Sequence, residues 1–154
     1  MMAHLAPILC FTKVAVMRSF LAFFAVLSAV SPVAIGAADT TENLLVYEGA
    51  AGPGVGKHIV LVGGDEEYRS EESMPMLGKI LSQRHGFKCT VLFSMGPDGA
   101  ETIDPNNSQG IRGFDALATA DLMIIGKRFS HHDAGERKHI TAVLTAGKPV
   151  IGLR

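Results

Sequence analysis

Between His58 and Leu153 the chain alternates short unbroken apolar runs with longer stretches in which apolar residues recur every three or four positions. The run "HIVLV" (His58 to Val62) stops at Gly63-Gly64, as a strand buried on both faces would. Ser73 predicts an N-cap with Pro75 in the first turn, and Met74, Leu77, Ile80 and Leu81 keep helical spacing up to Gly86, which suits the C′ position. "KCTVLF" (Lys88 to Phe93) predicts a second strand, and the turn formers of "PDGAETIDPNNSQG" a long loop before a short helix around Gly113 to Thr119. "DLMIIG" (Asp121 to Gly126) predicts a third strand. Asp133 with Glu136 forms a capping-box pattern, opening a helix through Ile140, Val143 and Leu144 that stops at Gly147. "KPVIGL" (Lys148 to Leu153) predicts a fourth strand.

Strands that alternate with helices imply right-handed crossovers, so the expected fold class is α/β, a doubly wound parallel sheet with strand order two-one-three-four. A parallel strand needs a helix over its exposed face. A fourth strand followed only by Arg154 therefore predicts a domain cut in mid-fold.

The segment ahead of this pattern differs. Residues 1–38 contain no acidic residue and only Lys13 and Arg18 as bases. Arg18, the apolar "FLAFFAVLSAV" and the small residues Gly36, Ala37 and Ala38 make an export signal for a periplasmic or secreted protein, with Met17 an alternative start. An uncleaved membrane anchor is the other reading, since the run approaches the roughly 20 residues that span a bilayer; Pro32 and the small residues favour cleavage. Residues 39–56, ending in "EGAAGPGVG", read as a flexible lead-in, and 57–154 as the α/β domain.

Without residues 1–38 the chain loses two of 14 basic and none of 15 acidic residues, leaving a net charge of −3. That balance argues against nucleic acid as a partner. Cys10 lies in the leader, so Cys89 alone makes no internal disulfide and reads as a small buried hydrophobe. Met74, Met76 and Met95 read as core fillers.

Ligands of open parallel sheets bind beyond the carboxyl ends of the strands, where the connections diverge. "GGDEEYRS", "KRFSHHD" and Arg154 map to that edge, which sets Asp65, Glu66, Glu67 and Arg69 against Arg128, His131 and His132. Negative charge before a helix is favoured by the helix dipole at about 0.3–1 kcal/mol per exposed group, which accounts for part of the acidity. The chemical alternative makes Glu66 or Glu67 an acid/base group, with Asp65, Tyr68, Arg69, Arg128, His131 and Arg154 binding a polyol. His131-His132-Asp133 lacks the HxH or HxxxH spacing of a metal site, "GGDEEYRS" lacks the P-loop lysine and the GxGxxG spacing, and no GxSxG elbow occurs. No metal, cofactor or covalent nucleophile is expected.

"GKHIVLVGGDEEYRSEESMPMLGKILSQRHGFKCTVLF", "DPNNSQGI", "ALATADLMIIGKRF" and "AGKPVIGLR" together resemble the ThuA-like (trehalose utilisation) family, in its exported branch, from about Leu45 to Arg154. The family belongs to the class I glutamine amidotransferase-like superfamily, so the resemblance implies a flavodoxin-like sheet. It also implies a role in using trehalose-like or keto-disaccharides. The family's "GDEEYRSEE" falls on Gly64 to Glu72, its "RF" on Arg128 and Phe129, and its "GLR" on Gly152 to Arg154. Where the family carries an acidic, proline-containing turn after "RF", this chain has "SHHDAGER"; members also continue past "GLR", which agrees with a domain cut after the fourth strand. A sugar-processing enzyme, a non-catalytic carbohydrate-binding or scaffold module with redox or multi-domain partners, and an inactive fragment all remain open, as does the oligomeric state.

Overall fold

The computed structural model describes residues 44–97 and 101–153. The leader of residues 1–38 and Arg154 lie outside them.

Five strands form one mixed sheet in the order β1-β3-β2-β4-β5: β1 Leu44–Tyr47, β2 His58–Gly63, β3 Lys88–Leu92, β4 Leu122–Gly126 and β5 Val150–Gly152. β2 to β5 are mutually parallel and follow the predicted two-one-three-four order. The fold is α/β, as expected, but neither all-parallel nor four-stranded. β1 pairs antiparallel with β3, Leu44 opposite Leu92 through Tyr47 opposite Cys89, within the stretch read as a lead-in.

Burial of β2 on both faces explains its unbroken apolar run. Ile59 and Leu61 join Cys89, Val91 and Met74 in the core under helix α1 (Ser70–His85). Val60 and Val62 point the other way, into a core of Leu92, Met123, Phe114 and Leu117 closed by Val143 of helix α2 (Ala134–Thr145). Successive side chains of a strand take opposite faces, so two layers of helix require Ile59 to Val62 all to be apolar.

α1 begins three residues ahead of the expected Ser73 cap. The N–H groups of Glu72 and Ser73 both donate to the Arg69 carbonyl, at 3.0 and 3.2 Å, closing a turn before Ser73. Pro75 therefore lies in the second turn, where it has no N–H to give. Ser70, Met74, Gly78 and Ser82 recur at four-residue spacing and form the buried stripe. Met74 and Met95 fill the core as expected, whereas Met76 is 64% exposed, because it sits on the side of α1 turned from the sheet. α2 carries the predicted capping box, with Asp133 accepting from the Glu136 N–H and Glu136 accepting from the Asp133 N–H.

The glycines before β2 serve close packing. Gly54 N–H donates to the His85 carbonyl at 2.8 Å, and Ser82 Oγ donates to the Glu48 carbonyl at 3.0 Å. A Cβ at Gly49 would stand 2.2 Å from the Gly86 backbone, so this connection runs backbone against backbone along the end of α1. Among the described residues no helix is long and apolar enough to cross a membrane.

Candidate functional site

The carboxyl ends of β2 and β4 lie side by side, with Gly63 opposite Gly126. Gly64 then takes a φ of 147°, and a Cβ there would meet Ser94 Cβ at 2.8 Å and Lys127 Nζ at 3.1 Å. Glycine is thus required for the chain to turn between these side chains. Ser70 Oγ accepts from the N–H groups of both Gly64 and Asp65 at 2.7 Å, fastening the loop to the first turn of α1.

Asp65, only 3% exposed, organises the loop. Its Oδ1 accepts from the N–H groups of Glu67 (2.8 Å) and Tyr68 (2.9 Å), while Oδ2 accepts from Arg128 Nε at 2.9 Å. Burial alone would raise the Asp65 pKa, but the N–H donors of Tyr68 and Glu67, together with Arg128, outweigh it and hold the carboxyl below its usual range. Asp65 is therefore a carboxylate at neutral pH, with both oxygens engaged inside the protein.

Arg128, the second residue after β4, closes the cluster. Its Nη2 donates to Glu66 Oε1 at 3.0 Å and to Glu67 Oε2. One guanidinium thus holds three carboxylates of a single loop, and the group keeps a net charge of −2. The Arg128 Cζ lies 4.9 Å from the Tyr68 ring centroid and 5.2 Å from that of Phe129. A cleft of about 190 Å³ beside the cluster is lined by Asp65, Tyr68, Ser70, Ser73, Met74, Gly126 and Leu153.

The predicted set is only partly brought together. Asp65, Glu66, Glu67, Tyr68 and Arg128 converge. Arg69 instead pairs with Glu72, three residues along α1. His131 gives its backbone N–H to the Ser108 carbonyl at 3.0 Å, and His132 is drawn towards α2, with Nδ1 3.2 Å from Glu136 Oε2 and its ring edge-on to Phe114. Among the described residues neither imidazole hydrogen-bonds to the acidic loop. Among the described residues no three His, Cys, Asp or Glu side chains converge as a metal would need.

Sequence reasoning passed over Lys127. Its Nζ donates to Ser94 Oγ and the Asn107 carbonyl, both at 3.2 Å, tying the ends of β4 and β3 to the loop between them. Burial lowers its pKa, against the pull of Glu66, Glu136 and Asp65. The available signal was position: Lys127 and Ser94 each stand just beyond the carboxyl end of a strand. Cys89, inside β3, is fully buried with its thiol pushed up to about 12, which removes it as a nucleophile.

In comparisons with family models, curated proteins and solved structures, nothing matches this chain.

Proposed function

We propose that this chain is an exported ThuA-like protein of carbohydrate utilisation, with a flavodoxin-like sheet that binds a polyhydroxylated sugar at its carboxyl edge. The observation that carries the reading is the Arg128 guanidinium joined to Asp65, Glu66 and Glu67 at the strand ends. Carboxylates accept from sugar hydroxyls and a guanidinium donates to them, so such a cluster suits a neutral polyol, while its net negative charge repels phosphate. Glu66 and Glu67 are the exposed carboxylates and the acid/base candidates; Asp65 and Arg128 hold them in place.

Calorimetry of the full chain with trehalose and with a 3-keto-disaccharide tests the binding, and product analysis of the same mixtures tests the chemistry. Binding that is lost in Arg128→Ala, with turnover lost in Glu67→Gln, is expected. No heat with any disaccharide overturns the reading. Binding without product favours a carbohydrate-binding module, a second reading supported by the engagement of all three carboxylates with Arg128.

A further inference from the structure

Two non-glycine residues among those described have left-handed backbone conformations, Arg69 at φ 50° and Phe129 at φ 48°. They lie in the loops after β2 and β4, so both flank the Arg128 cluster. For a residue with a bulky side chain this conformation costs energy that glycine would avoid, and such outliers gather at functional sites. The case of Phe129 is the sharper, because its ring gains nothing from the core: the residue is 73% exposed. The Arg128 guanidinium stands over the ring, 5.2 Å from its centroid. Tyr68, 48% exposed, stands against the same guanidinium at 4.9 Å and lines the cleft. The fold therefore holds two aromatic rings open to solvent around one cation, next to three carboxylates.

Resting on the sugar-binding reading above, we infer that Phe129 is a ligand-contacting residue that sets specificity: its ring is a platform for the C–H face of a pyranose, whose hydroxyls reach the Asp65–Glu67 loop and Arg128. A pyranose presents polarised C–H groups on one face and hydroxyls at its rim, matching an aromatic face bordered by hydrogen-bonding groups. The contact with Arg128 fixes the ring's orientation at the cost of one face and leaves the remainder free. An ordinary surface phenylalanine needs neither the strained backbone nor the stacked cation.

Phe129→Gly separates this role from a structural one, since glycine adopts the φ of 48° without strain. The expected result for the full chain is a Tm at or above that of the unsubstituted protein, together with a loss of trehalose affinity by about tenfold or more, the order seen when a stacking ring is removed. Phe129→Trp should restore the affinity. The chain contains no tryptophan, so that variant also reports directly, through a change in indole emission on adding trehalose. Unchanged affinity in Phe129→Gly while Arg128→Ala abolishes binding overturns the inference and leaves the sugar site standing. A lowered Tm in Phe129→Gly with no rescue by tryptophan also overturns it, by showing that the ring only supports the fold. No trehalose binding by the unsubstituted chain overturns both readings.

Discussion

Ser70 Oγ lies 2.7 Å from the N–H of Gly64 and 2.7 Å from that of Asp65, so one hydroxyl at the start of α1 satisfies two buried donors at the end of β2. The acidic loop is thereby fixed at both ends, here by Ser70 and further on by Arg128. Ser70→Ala leaves both donors bare, at about 1–3 kcal/mol each. Urea unfolding should show a correspondingly lower midpoint at an unchanged m-value. A loss below about 0.5 kcal/mol would mean that water replaces the hydroxyl without cost.

His58 predicts a pH dependence at the opposite end of the sheet. Its ring nitrogens lie 2.9 Å from Thr119 Oγ1 and 2.9 Å from Thr90 Oγ1. Burial, aided by Lys88, lowers its pKa and outweighs the opposing effects of Thr119, Asp121 and Glu48. The unfolded chain therefore takes up a proton first as pH falls. The stability due to neutral His58 is complete above its ordinary pKa of about 6.5 and declines below it, towards the folded-state value. Unfolding free energies measured at about pH 7.5 and pH 5 should fall in the native chain, and the part due to His58 should vanish in His58→Gln. An equal decline in the variant would assign the dependence elsewhere.

Cys89 should resist thiol reagents in the folded protein. It is fully buried and its thiol is pushed up to about 12, so about one molecule in ten thousand carries the thiolate at pH 8. Iodoacetamide followed by peptide mapping, which separates Cys89 from Cys10, should find Cys89 labelled only after urea unfolding. Rapid labelling without denaturant would contradict its place under α1.

β2 and β4 could be read from the chain because burial on two faces leaves a plain trace, an apolar run closed by glycine. β5 is exposed at all three positions, so its apolar residues and its place after α2 announced it, not burial. The acidic loop could be read for a similar reason: charge concentrated after a strand falls at one edge of the sheet. β1 could not, since an edge strand of four residues shows no period and its neighbours are glycines usually found in loops. Side-chain direction was also hidden. His131 and Arg69 stand at the predicted edge, yet His131 is bonded through its backbone to Ser108 and Arg69 pairs with Glu72, both outside the cluster. Lys127 was overlooked because a lysine beside an arginine reads as ordinary surface charge until the fold shows its amine packed against Gly64 and bonded to Ser94 and Asn107.

The glycine-rich connection between β1 and β2 bears on how the domain can be excised. Composition invites a cut just before Lys57, where a flexible linker would end. Such a fragment would lose the strand that covers the outer edge of β3 and the segment bonded along the last turn of α1. It would expose a fresh row of unpaired backbone groups beside Cys89 and Val91, inviting strand addition and aggregation. The smallest autonomous unit on this side of the fold therefore starts ahead of Leu44, on the far side of the glycines.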